Sequence, residues 1–101
     1  MNLSDYTNGW IVGDFTPSVF KTKHVEVGVK SFKKGDTEPK HIHPIAMEVS
    51  LVISGKVKMK KVMEEGDICV LQNEWCAFEA LEDSVMLCIK YPSVKNDKVI
   101  E

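Results

Sequence analysis

The sequence has no arginine: all 13 of its basic residues are lysine, set against 15 acidic residues for a formal net charge of -2. A nucleic-acid module usually shows a net basic balance and Arg side chains for bidentate contacts, so nucleic acid is not an expected partner. Long apolar runs are also missing. The longest, Val85 to Ile89, has five residues, whereas a helix that crosses a bilayer needs about 20. The start, Met1-Asn2-Leu3-Ser4-Asp5-Tyr6, does not lead from a basic stretch into an apolar one, as a secretory signal would. No membrane partner is expected, and a cytoplasmic location is. The three cysteines, Cys69, Cys76 and Cys88, are odd in number and lack CxxC spacing, which reads as free thiols in a reducing compartment. Also absent are GxGxxG, a Gly-Lys-Ser/Thr phosphate loop and a Gly-x-Ser-x-Gly elbow, which removes the commonest dinucleotide, nucleotide and serine-hydrolase signatures.

What is present points to a small β protein. With 101 residues, 44% of them hydrophobic, the chain suits one domain spanning 1–101, because smaller pieces rarely fold without staples. Apolar residues alternate. In His24 to Phe32, Val25, Val27 and Val29 fall on one face, and His24, Glu26 and Lys30 fall on the other, which reads as the wet one. Further strand candidates are Glu48 to Ile53, the Val57/Met59 alternation with Lys56, Lys58 and Lys60, Asp67 to Leu71, Trp75 to Glu79 and Val85 to Tyr91. Turn chemistry separates them at Lys34-Gly35-Asp36, Ser54-Gly55, Glu65-Gly66-Asp67 and Glu82-Asp83-Ser84. Seven to nine short strands, mostly antiparallel, and no helix longer than a turn predict an all-β sandwich or barrel. Residues 1–20 read as N-terminal strands or an arm, and the polar 93–101 as a tail that is loose or lies on a partner subunit.

One stretch carries chemistry. His41 and His43 are two residues apart, so on a strand both imidazoles leave the same face about 6.6 Å apart along the backbone. Two neutral imidazoles and a carboxylate, Glu48, from an adjoining strand can converge on one divalent ion. Around them, five residues separate Gly35 from His41, four separate His43 from Glu48, and six separate Glu48 from Gly55.

That spacing resembles the first motif of the cupin superfamily, Gly, five residues, His-x-His, three or four residues, Glu, six residues, Gly, at all five positions. The stretch from Gly66-Asp67 through Trp75-Cys76-Ala77-Phe78 is similar to the second motif in its Gly-Asp start and its strand, but lacks the turn and the His that follow. The resemblance implies an antiparallel cupin barrel (double-stranded β-helix or jelly roll) holding a divalent transition metal, Fe, Mn, Ni or Zn, on His41, His43 and Glu48. The family's fourth ligand is the missing His. Straight counting puts Ala77 there; one residue fewer in the turn puts Cys76 there, with Phe78 on the same face. Cys76 is thus a fourth ligand, a pocket residue or a small buried thiol. A closed four-ligand site would be structural, and an open triad leaves room for water or substrate.

Ser50 and Phe78 are expected to line the pocket, Glu26 and His24 to face solvent, and Trp10 and Trp75 to pack. Lys90 and Tyr91 end the last long strand, where Lys90 reads as a solvated lysine by default or, at a barrel mouth, as a basic group that attracts an anionic substrate. Gly9-Trp10 to Ser18 and Tyr91-Pro92 to Lys98 are similar to the ends of small stand-alone cupins of sugar metabolism. The resemblance therefore implies metal-assisted work on a small molecule, a sugar or sugar derivative, by isomerase/epimerase-like or dioxygenase-like chemistry. The alternative is a binding module with the same pocket. A homodimer is expected, because small cupins commonly pair through exposed strands.

Overall fold

A computed structural model describes residues 1–101. Its helices are two three-residue 3-10 turns, Leu3–Asp5 and Thr7–Gly9. Eleven strands follow: β1 (Trp10–Gly13), β2 (Phe20–Lys21), β3 (Glu26–Phe32), β4 (Thr37–Ile42), β5 (Met47–Ser54), β6 (Lys56–Lys58), β7 (Val62–Glu64), β8 (Ile68–Gln72), β9 (Cys76–Ala80), β10 (Ser84–Tyr91) and β11 (Val99–Ile100). They form a six-stranded sheet in the order β2-β1-β3-β10-β5-β8 and a five-stranded sheet in the order β11-β4-β9-β6-β7. Every pairing is antiparallel except β1 with β2. The count exceeds the expected seven to nine because β2 and β11 are two-residue strands and β7 is three residues long, too short to show a period.

Alternation decides which side chains enter the space between the sheets. Cys76, Phe78 and Ala80 of β9 are buried while Ala77 and Glu79 are exposed. Ser84, Met86 and Cys88 of β10, with Glu48, Ser50 and Val52 of β5, are likewise buried. Val52, Val57, Met63 and Met86 are almost fully shielded from solvent, and each such burial is worth about 1.5–3 kcal/mol. Phe32 and Phe78 join the two sheets with ring centroids 4.4 Å apart. The turn from β5 to β6 needs Gly55, whose φ is +92°, and a Cβ there would press into the Asp83 carbonyl.

One strand is turned over relative to the sequence reading. On β3 the row Glu26, Gly28, Lys30, Phe32 faces inward: Glu26 accepts a hydrogen bond from the Ser93 hydroxyl at 3.0 Å, while Lys30 and Phe32 line the central cavity. Val27 and Val29 lie on the opposite, outer face. His24, before the strand, is exposed. An inward polar row is tolerated because Glu26, Lys30 and Phe32 are only half-buried, at a mouth open to water rather than a packed floor.

The tail does not hang free. Ser93 and Asp97 are buried, and β11 pairs with β4, with Val99 opposite Ile42 and Ile100 opposite His41. The Ser93 hydroxyl also accepts from the Asp14 amide at 3.0 Å. No helix is long and apolar enough to cross a membrane.

Candidate metal centre

Three elements bring His41, His43 and Glu48 together. His41 sits on β4 of the five-stranded sheet, Glu48 on β5 of the six-stranded sheet, and His43 in the loop that carries the chain between them. Their ligand atoms all lie within 4.8 Å of one another. The two imidazoles meet edge to face with centroids 5.2 Å apart. His43 departs from the simple same-face picture, because β4 ends at Ile42 and His43 is placed by the loop.

That loop is held from behind. The buried Asp97 carboxylate accepts from the Ile45 amide at 3.0 and 3.3 Å and from the Ala46 amide at 2.8 Å. The tail thereby fixes the backbone immediately after His43. Neither Asp97 nor the paired β11 stands out in the sequence, since a two-residue strand and one acidic residue in a polar segment carry no pattern.

The donor atoms suit an ion. His41 Nδ1 lies 2.8 Å from the Pro39 carbonyl oxygen, which can only accept, so Nδ1–H donates and Nε2 keeps its lone pair for the cavity. His43 Nε2 is 3.5 Å from Glu48 Oε2. This contact is not an ion pair at neutral pH: burial, followed by the nearby positive charges of Lys90 and His41, holds the His43 imidazole down to about 4. Burial also raises the Glu48 carboxyl above its ordinary range, against the opposing pull of Lys90. Glu48 Oε2 is buried without a hydrogen-bond partner. A buried, unpartnered carboxylate oxygen beside two imidazole nitrogens is costly alone and a cation would offset that cost, so these residues fit a divalent metal.

The triad opens into a cavity of about 270 Å³ lined from both sheets. One cross-strand ladder, β10 against β5, grades its wall: Lys90 faces Glu48, Cys88 faces Ser50 and Met86 faces Val52, from a charged mouth to an apolar floor. Ser50 and Phe78 line it, as do both Cys76 and Ala77. Cys76 is the direct partner of His41 across β4 and β9, yet its sulfur is outside the triad's cluster and donates to the Ala77 carbonyl at 3.2 Å. Burial pushes the Cys76 and Cys69 thiols up, and the Cys88 thiol to about 11. All three cysteines are free.

Sequence reasoning gives no site role to Trp10, read as a packing residue, to Lys30, read on a wet face, or to Glu38 and Lys98, yet all four line the cavity. Trp10 packs against Gly28, where a Cβ would come within 2.6 Å of the ring. The one available signal is the Glu-x-Gly-x-Lys-x-Phe row on β3, which has meaning only once the register with β10 is known. Trp75 is 43% exposed and does not line this cavity.

No protein-family model matches the chain, and no curated protein matches its sequence. Solved structures do match its shape. An uncharacterised conserved protein with a double-stranded beta-helix domain from Klebsiella pneumoniae superposes with a TM-score of 0.74 at 16% identity, over 99% of this chain and 88% of that one. KdgF from a Halomonas species gives 0.68 at 20% identity over 74% of each chain. An oxalate oxidase in complex with glycolate gives 0.64 at 20% identity, over 76% of this chain and 46% of that one. The likeness, with the two facing sheets, makes this chain a double-stranded β-helix. Its fold is that of the cupins, with a His/His/Glu cluster at the cavity mouth.

Proposed function

We propose that the protein holds one divalent transition metal, Fe, Mn, Ni or Zn, on His41, His43 and Glu48 and uses it on a small molecule bound in the adjoining cavity. The observation that carries this reading is the convergence of three ligand atoms within 4.8 Å around a buried carboxylate oxygen that has no other partner. When bound, such an ion supplies Lewis-acid polarisation of a substrate oxygen. The site is an open triad. The raised Cys76 thiol keeps its proton at neutral pH, and its bond to the Ala77 carbonyl leaves it packed as a small hydrophobe rather than serving as a fourth ligand.

Protein groups then do the rest. The apolar floor of Met86, Leu71 and Phe78 excludes water behind the ligand, and Ser50 offers a hydroxyl halfway down the wall. Glu38 is the one carboxylate lining the cavity besides Glu48, and it is bridged to Lys98 at 3.7 Å, so proton transfer during turnover falls to it. A sugar or sugar derivative is the proposed ligand, turned over by isomerase/epimerase-like or dioxygenase-like chemistry. The second reading is a binder of the same molecules, favoured by the absence of His from the second motif. Incubation with keto sugars, sugar phosphates and phenolics followed by mass spectrometry separates the two. A change of mass or isomer supports the enzyme, and a melting shift without one supports the binder. Failure of every compound on both readouts contradicts a sugar or phenolic ligand.

A homodimer accompanies this reading. On the outer face of the six-stranded sheet, Val29, Leu87, Leu51 and Ile68 form one cross-strand row and Val27, Ile89, Val49 and Val70 the next. Strand β8 is an edge, with Ile68 60% and Val70 48% exposed. An apolar, two-row face ending in an open edge suits a second copy. A cytoplasmic setting fits three unpaired thiols.

A further inference from the structure

We propose that Lys30 and Lys90, both held over the Trp10 ring, form a receptor for the carboxylate of a small hydroxy or keto acid. This deepens the metal-site reading and rests on it for the role of the triad. Lys30 Nζ lies 5.3 Å and Lys90 Nζ 4.9 Å from the Trp10 ring centroid. Both residues are half-buried and line the cavity. Neither has a carboxylate within 4.0 Å, whereas Lys98 at the rim is bridged to Glu38. Two unpaired ammoniums on one wall of a partly desolvated cavity favour an anion, and the aromatic face orients them without neutralising them.

Register puts that anion beside the triad. Lys90 is the direct cross-strand partner of Glu48, so the two side chains leave neighbouring strands, about 4.8 Å apart at the backbone, on the same face. A hydroxy or keto acid, a sugar acid included, can then place its carboxylate on the lysines and its hydroxyl or keto oxygen beside the triad. A carboxylate is favoured over a phosphate because the wall offers side chains of strands, without the helix N-terminus or nest of amides that usually cradles phosphate.

Trp10 supplies the readout. In a Trp75→Phe background its emission is recorded while glycolate, malate, the neutral glycolamide and inorganic phosphate are titrated, with metal content measured on the same samples. Glycolate and malate are expected to give a saturable change and glycolamide none. Lys30→Met and Lys90→Met should each weaken binding about tenfold or more, the loss of one charge-assisted hydrogen bond. Lys90→Arg should restore it, and Lys33→Met, on an exposed lysine, should leave it unchanged. Glycolamide binding as well as glycolate, or Met variants that bind as tightly as the parent, would overturn the receptor. Phosphate binding more tightly than the acids through the same lysines would overturn the carboxylate assignment. Should a Met variant fail to fold, the Trp10 indole N–H resonance of the unmutated protein decides, and no shift with glycolate counts against the receptor. Acid binding by a protein that takes up no metal after loading with each of Fe, Mn, Ni and Zn removes the triad reading and leaves the receptor standing. Bound metal without acid binding does the reverse.

Discussion

Replacing Asp97 with Ala tests whether the tail builds the site. Its carboxylate takes two backbone N–H donors, Ile45 and Ala46, at 2.8 to 3.3 Å in a residue only 8% exposed. Hydrogen bonds to a charged group are worth about 1.5–3 kcal/mol each, and water reaching the gap recovers part of that, leaving a loss of about 2–4 kcal/mol. For a domain of this size, 1 kcal/mol moves the midpoint by about 4–5 °C, so melting should fall by about 10–20 °C. Asp97→Asn keeps one acceptor oxygen and should lose about half as much. The loop behind these amides carries His43, so metal affinity in a chelator competition should drop by about 10–100-fold, as for other groups that orient ligands. Circular dichroism melts and the competition are run side by side. A variant that melts within about 2 °C of the parent and keeps its metal affinity would refute the staple.

Glu48→Gln removes a buried charge whose Oε2 has no partner, so the metal-free variant should be more stable by about 1–2 kcal/mol while losing the stabilisation that added metal gives the parent; a less stable apo variant contradicts this. The His43 imidazole sits near 4 in the native state against an ordinary 6.5, so between these values the unfolded chain takes up the extra proton and metal-free stability falls as pH drops from about 6.5 to about 4. The loss attributable to His43 is at most about 3 kcal/mol. Glu48, raised by burial, works in the opposite sense above 4.5, so Glu48→Gln should steepen the decline and His43→Asn should flatten it, both read from urea melts across this range. Light scattering should give twice 11.4 kDa for the parent and 11.4 kDa for Leu87→Lys, which puts a charge in the middle of the outer apolar face; a monomeric parent removes the dimer.

Much of this was legible because two periodicities agree. The strand rhythm of Val85 to Tyr91 and the spacing of Gly35, His41, His43, Glu48 and Gly55 are both local, and both depend only on which residues follow which. What escaped is long-range. Trp10, Lys30 and Lys90 share a wall only through the pairing of β1 with β3 and of β3 with β10, and Asp97 reaches Ala46 across 51 residues of chain. The facing of β3 was misleading for a physical reason. Inward means apolar only where the interior is packed, and at this mouth Glu26, Lys30 and Lys90 point in while Val27, Val29 and Ile89 point out toward a face that suits a second copy. The same rule explains Trp10, which packs on Gly28 yet lines the cavity.

The most direct test of the metal centre is elemental analysis of the purified protein beside a His41→Ala, His43→Ala double variant shown by circular dichroism to be folded. Close to one divalent ion per chain in the parent and background metal in the variant is the expected result. Equal metal in the two, or none in the parent after loading with each of Fe, Mn, Ni and Zn, would contradict it.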